Sequence, residues 1–165
     1  MHRRDLLKLA IPAVIPAAWA QEVSKPTWRP AVLDAHENET VIALTDLIIP
    51  ATDTPGAKVA RVNRYIDLLL KDGTPEQRDR FLGGLAWLDA HAIAHPGQPF
   101  VKCTPAEQMA MLKTFDEGAG PGHAFFGQIK SLTAKIYYAT EIGFQELNKG
   151  GRVPASFGCA HGSHG

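Results

Sequence analysis

The amino-acid sequence predicts an all-α protein, a single compact, irregular bundle of about five helices behind a cleaved signal peptide. Apolar residues recur at spacings of three and four from Asp34 onward, and no segment alternates with period two for long enough to indicate a sheet. The 165 residues suffice for one domain with a hydrophobic core. Amphipathic helices with short connections bury their apolar faces only against one another, which favours a bundle.

Residues 1–20 have the pattern of a secretory signal peptide. Arg3 and Arg4 form a charged head, an apolar run follows, and Ala18 and Ala20 make the small-x-small pattern that a signal peptidase cuts. The apolar run contains a lysine and two prolines and is shorter than the roughly 20 residues that span a bilayer. We therefore expect a cleaved peptide and a periplasmic protein.

The paired arginines also indicate a route of export. The sequence RRDLLK at residues 3–8 is similar to a twin-arginine signal, although His2 and Leu6 depart from that pattern. A general secretory signal needs only positive charge at this place, so both routes stay open.

The first two helices lie on either side of a turn-rich segment at residues 51–57. Residues 21–33 are expected to form an extended linker, and a helix then runs from Asp34 to Pro50. The second helix ends at Asp72 and Gly73. Its expected apolar face consists of Val59, Val62, Tyr65, Ile66, Leu69 and Leu70.

The third and fourth helices have the clearest starts. Thr74 is placed as N-cap with Gln77 three residues later, and Thr104 is followed by Glu107 in the same way. The third helix contains a Gly83-Gly84 pair, which costs about 1 kcal/mol per glycine and suggests a closely packed neighbour. The expected buried residues are Phe81, Leu82, Leu85 and Leu88 in the third helix, and Met109, Leu112 and Phe115 in the fourth.

The fifth helix is the most apolar. Its buried positions are expected to be Phe125, Phe126, Ile129, Leu132, Ile136 and Tyr137. Gly143 is available for a left-handed cap at its end. Residues 34–147 form the helical domain in this interpretation, and residues 148–165 form a flexible tail rich in glycine and histidine.

Composition narrows the choice of partners. The 17 basic and 17 acidic residues balance, so there is no electrostatic reason to expect nucleic acid or an anionic membrane as a partner.

Cys103 and Cys159 would meet an oxidising compartment after export, where a disulfide is allowed and two free thiols are equally possible.

Two groups of side chains inside the domain are candidates for chemistry. Asp46 and Asp53 are paired carboxylates around Pro50, but a polar helix face and a turn explain them better. His91 and His95 share a helix face at a spacing that metal sites use, and a helix C-terminus also favours histidines. Further ligands would have to come from Asp89 with Asp34 or His36, if the fold brings them close.

The tail holds the densest cluster of metal ligands. Cys159, His161 and His164 lie within six residues, which suggests a copper or zinc site, although three ligands without a fourth make a weak one. A stand-alone periplasmic metal-binding domain is therefore the alternative function. It contrasts with an interaction role, for which Tyr138 and Phe144 are the expected interface residues, since aromatic side chains are enriched in interfaces.

Four segments resemble a known family, the small third subunit of gluconate 2-dehydrogenase and related membrane-associated flavoprotein dehydrogenases. They are TDLIIPA at residues 45–51, DTPGA at 53–57, FLGGL at 81–85 and YYATEIGF at 137–144. Beyond Leu147 the tail departs from the family pattern.

The resemblance implies a non-catalytic accessory subunit that acts in export, assembly or stabilisation of a partner. That partner would be a large FAD-containing subunit of the glucose-methanol-choline type that oxidises a sugar or polyol, with a multihaem cytochrome c as a further partner. It implies no catalytic residue and no cofactor in this chain, and membrane association only through the partners.

Overall fold

A computed structural model describes residues 28–148. Within this range the chain forms six α-helices and one short 3₁₀ helix, Phe100–Lys102, and no β-strand, which confirms the all-helical prediction. The α-helices are α1 Ala35–Ile48, α2 Val62–Asp72, α3 Pro75–Ala94, α4 Pro105–Glu117, α5 Pro121–Ala139 and α6 Glu141–Asn148. None of these helices is long and apolar enough to cross a membrane.

The expected helix starts are confirmed at α3 and α4. Thr74 and Gln77 form a reciprocal capping box, and so do Thr104 and Glu107. A third box at α1 pairs Asp34 with Glu37, whose backbone N–H donates to Asp34 Oδ1 over 2.7 Å. Each cap satisfies N–H groups that the helix leaves unpaired and stabilises the protein by about 1 kcal/mol.

Helix α5 lies at the centre of the bundle and contacts each of the other five α-helices. Its predicted inward positions are buried except Leu132, which is half-buried, and Ile129 and Tyr137 are fully enclosed. The 3₁₀ helix packs between α1 and α3 and places Phe100 in the core.

The predicted apolar face of α2 is partly wrong. Tyr65 and Leu69 are 48% and 53% exposed, because two polar residues take core-facing positions. Asn63 donates to Asn38 Oδ1 over 2.9 Å, and Asp67 accepts from backbone N–H groups. Such buried polar groups are tolerated when they are hydrogen-bonded.

Val59 and Met109 are also exposed rather than buried. Val59 precedes α2 in a turn. In α4 the inward position belongs to Gln108, whose side-chain N–H donates to the Phe100 carbonyl over 2.8 Å, and Met109 therefore points outward at 48% exposure.

The helix end predicted at Gly143 is wrong. Helix α5 stops at Ala139, and Thr140 then begins the separate helix α6 by accepting from the backbone N–H of Gly143 over 3.2 Å. A side chain at Gly143 would lie 2.8 Å from Tyr138 Cα and overlap the Tyr137 carbonyl. Glycine is therefore needed for close packing of the two helices and not for a left-handed turn.

The two adjacent glycines of α3, Gly83 and Gly84, have different surroundings. A Cβ on Gly84 would overlap the ring of Phe125 on α5, which confirms a closely packed neighbour there. Gly83 has no heavy atom within 4 Å of the equivalent position. Only one of the two glycines is required by internal packing.

The segment before α1 is held on α2 by one carboxylate. Asp67 accepts backbone hydrogen bonds from Ala31 over 2.8 Å and from Val32 and Leu33 over 3.0 Å each. Leu33 is 4% exposed, and residues 28–33 contain no helix. The last residues before α1 are therefore packed against the bundle.

Candidate interaction surface

The turn-rich segment after α1 is a defined loop. The backbone N–H of Ala57 donates to the Ile49 carbonyl over 2.9 Å, and that of Thr52 donates to the Thr54 carbonyl over 3.0 Å. A Cβ on Gly56 would lie 2.5 Å from the backbone nitrogen of Ala51. Glycine is therefore required for the loop to close on itself.

A buried tyrosine ties this loop to the last two helices. The Tyr137 phenol oxygen lies 2.7 Å from the Pro55 carbonyl and 2.5 Å from Glu146 Oε2, and its proton is shared between these acceptors. Thr54 donates to the other oxygen of Glu146 over 3.3 Å. Burial and the nearby Glu146 carboxylate raise the pKa of Tyr137 to about 12, so the phenol stays protonated.

Together these contacts bring two of the resemblance segments, residues 53–57 and 137–144, to one end of the bundle. We call this the end surface, formed by loop residues 50–57 and by Tyr138, Phe144 and Leu147. These three large side chains are 41%, 53% and 52% exposed. Tyr138 and Phe144 were expected to meet a partner, and their role stays a prediction.

Leu147 is a third exposed apolar residue here, and the helical periodicity of the sequence does not single it out. It follows Phe144 by three positions, so both lie on the outer face of α6. The i, i+3 spacing of these two apolar residues could have indicated a shared face, but the sequence does not predict α6 as a separate helix.

His36 and Asp89 are brought together from α1 and α3. His36 Nε2 lies 2.5 Å from Asp89 Oδ2, and Asp89 Oδ1 accepts from the Phe100 backbone N–H over 2.9 Å. The hydrogen bond to Asp89 raises the pKa of His36 above its usual value. The Thr40 hydroxyl donates to the His36 backbone carbonyl over 3.0 Å, but among residues 28–148 no hydroxyl or thiol hydrogen-bonds to the His36 ring, where the nucleophile of a catalytic triad would lie.

His91 and His95 lie side by side at the end of α3, with ring centroids 4.2 Å apart. His91 stacks on Trp87 at 5.2 Å and meets the edge of Phe115 at 5.0 Å. The pKa of His91 is lowered, mainly because the ring is partly buried and to a smaller extent because His95 is close to it. No group of three or more His, Cys, Asp or Glu in the described part of the chain is placed to hold a metal ion.

The remaining carboxylate candidates have structural surroundings. Asp46 is half-buried and lines an open groove to which Lys58 also contributes, and Asp53 accepts from the Thr52 hydroxyl over 2.9 Å in the loop. Cys103 is buried, and burial raises the pKa of its thiol.

The other predicted residues lie outside the described range: Arg3, Arg4, Ala18, Ala20, Cys159, His161 and His164.

Comparison with known proteins gives one match. A family model described as gluconate 2-dehydrogenase subunit 3 matches residues 35–151, which is most of the 165-residue chain and includes α1 to α6. No curated protein and no solved structure matches the chain. The chain therefore belongs to the gluconate 2-dehydrogenase subunit 3 family.

Proposed function

We propose that this chain is a non-catalytic accessory subunit of a periplasmic, FAD-dependent sugar or polyol dehydrogenase. Family membership supports this proposal, because the family is described as the third subunit of a dehydrogenase. The flavin and the substrate site belong to a large partner of the glucose-methanol-choline type, and a multihaem cytochrome c takes the electrons. This chain acts in the export, assembly or stabilisation of the flavoprotein.

The end surface is the part of this chain best suited to hold the flavoprotein. Tyr138, Phe144 and Leu147 expose apolar area there. The Tyr137 network fixes the loop beneath them, so little conformational freedom is lost on binding. Aromatic side chains on a rigid base are typical of residues that carry binding energy.

Co-expression with the large flavoprotein encoded beside this chain tests the proposal. We expect the two chains to co-purify, and we expect the flavoprotein made alone to lose FAD content or dye-linked activity. Phe144→Asp should weaken the complex by roughly tenfold or more, because it places a charge in an apolar contact. Ile93→Asp is the matched control, since Ile93 on α3 is also 53% exposed and lies outside the end surface.

Two results would contradict this function. The first is a flavoprotein that is fully loaded and active without this chain and does not bind it. The second is a stoichiometric metal ion in the purified chain that disappears when Cys159 and His161 are replaced, which would support the metal-binding alternative.

Export is tested separately through the N-terminal arginines. Replacing Arg3 and Arg4 with lysines keeps the positive charge that a general secretory signal needs but removes the twin-arginine pattern. We expect both chains to stay in the cytoplasm with the flavoprotein folded and FAD-loaded. If the flavoprotein reaches the periplasm while this chain is held back, only a stabilising role after export remains.

A further inference from the structure

A second exposed feature lies on α2 and on the segment that Asp67 holds against it. We call it the α2 groove, an open groove of about 420 Å³ whose main residues are Trp28, Arg29, Arg64, Tyr65, Leu68 and Lys71. None of these residues belongs to the end surface. The groove therefore needs an explanation of its own.

The groove carries a net positive charge, because Arg29, Arg64 and Lys71 line it against one carboxylate, Asp67. The ion pairs formed within residues 28–148 do not include Arg29, Arg64 or Lys71. The carboxylate that lines the groove, Asp67, is 3% exposed and turned onto three backbone N–H groups. Asp72 follows Lys71 in sequence but forms no ion pair with it.

The same place exposes apolar and aromatic side chains. Tyr65 and Leu68 are 48% and 49% exposed. The Arg64 guanidinium lies 4.9 Å from the centre of the Trp28 ring, so each side chain restricts the other. Tryptophan, tyrosine and arginine are the residues most enriched among those that dominate binding energy at protein interfaces.

Charge decides between the possible occupants. Outside the described range, residues 1–27 carry four Lys or Arg against two Asp or Glu, and residues 149–165 carry Lys149 and Arg152 but no Asp or Glu, so neither segment has the net negative charge that would complement the groove. A second copy in a two-fold dimer would place the same cations opposite each other, which is repulsive. A helix that lies in a membrane separates its charged and apolar faces, whereas cations alternate with Tyr65 and Leu68 here.

We propose that the α2 groove is a docking site for an acidic segment of a partner subunit. Carboxylates of that segment pair with Arg29, Arg64 and Lys71, and an apolar side chain between them lies against Tyr65 and Leu68. This rests on the proposed function, because it requires a partner subunit. It adds a second contact region, of different chemistry, to the apolar end surface.

Binding of the purified chain to the co-expressed flavoprotein tests the site. We expect the double variant Arg29→Glu and Lys71→Glu to weaken binding by roughly tenfold or more. The control, Lys102→Glu with Lys113→Glu, makes the same change of charge at exposed positions outside both surfaces. Arg64 is left in place, so its contact with Trp28 is kept in both variants.

Salt dependence separates the charged contribution from the apolar one. Wild-type affinity should fall as NaCl rises from 50 to 300 mM, since exposed charges farther apart than the Debye length are largely screened, and that length, about 10 Å at 0.1 M, shortens as salt is added. The groove variant should lose most of that dependence. Leu68→Ala should lower the affinity and keep the salt dependence, while Ile93→Ala changes neither.

The possible failures are distinguishable. If wild type binds and the groove variant binds within twofold of it, the docking site is overturned and the proposed function stands. If wild type does not bind the flavoprotein, both are overturned. If the groove variant loses binding to phosphatidylglycerol vesicles, or loses dimerisation measured by light scattering, while flavoprotein binding is unchanged, the site is a membrane or self-association surface instead.

Discussion

The ring of Phe125 occupies the position that a side-chain methyl group on Gly84 would take. Phe125 is 7% exposed and meets Phe81 edge to face at 5.8 Å, so its ring is packed between α3 and α5. The distance between α3 and α5 is therefore set by the absence of a side chain at residue 84.

Gly84→Ala and Gly83→Ala should have opposite effects on stability. The first forces a methyl group into the Phe125 ring and should lower the free energy of unfolding by about 1–3 kcal/mol. The second meets no heavy atom within 4 Å and should raise it by about 0.5–1 kcal/mol, because alanine favours the helix. Urea denaturation of both variants checks this, and equal effects would contradict the packing.

Tyr137→Phe should lower the free energy of unfolding by about 1–3 kcal/mol, because it leaves the Pro55 carbonyl and the Glu146 carboxylate without their shared donor. Tyr138→Phe, at a 41% exposed position, should change it by less than about 0.5 kcal/mol. Thermal denaturation of the two variants measures the difference. Equal losses would show that the buried network does not stabilise the end surface.

Asp67→Asn should release the segment before α1. An amide presents one acceptor oxygen where the carboxylate presents two, so at least one of the N–H groups of Ala31, Val32 and Leu33 loses its partner. Hydrogen exchange at these three amides should accelerate by tenfold or more, equivalent to about 1.4 kcal/mol of lost protection. Asp79→Asn on the exposed side of α3 is the control and should leave them unchanged.

The His36–Asp89 contact predicts a dependence of stability on pH. The pKa of His36 is raised in the folded protein above the ordinary 6.5, mainly by its hydrogen bond to Asp89. Its contribution is therefore fully present below about pH 6.5 and is lost as the pH rises through the raised pKa. His91 has a lowered pKa, so it has the opposite effect and destabilises the fold on acidification.

His36→Ala should isolate the first effect. The difference in unfolding free energy between wild type and variant should be largest near pH 5.5 and shrink towards pH 8. It should stay below about 1 kcal/mol, because the His36 side chain is 44% exposed. Urea denaturation across this pH range measures it, and a difference independent of pH would show that the ion pair does not form.

Features that depend on neighbouring residues could be predicted from the sequence, and features that depend on distant ones could not. Thr74 and Gln77 are three residues apart, so their capping box is visible in the chain itself. Asp67 and Gln108 face the core because their partners lie on residues 31–33 and on Phe100. Periodicity alone predicts that Tyr65 and Met109 face the core instead.

The end surface illustrates the same limit. The sequence indicates the turn at residues 50–57 and the aromatic residues at the end of α5 and in α6 separately, but nothing local shows that Pro55 and Tyr137 meet. Likewise, a lone Gly143 after an apolar helix resembles a cap, and only its contact with Tyr138 reveals a close helix crossing.

The Tyr137 network also has a consequence for the time at which the protein becomes competent to bind. Its contacts join Pro55 to Tyr137 and Thr54 to Glu146, pairs that are 82 and 92 positions apart. A ribosome adds roughly 5–20 residues per second, so the loop waits about 5 s or longer for its partners after it has been synthesised. A nascent or truncated chain that ends before Glu146 lacks Glu146 and Leu147 and so has an incomplete end surface, and a flavoprotein that recognises the complete surface would therefore bind completed subunits more tightly than unfinished ones.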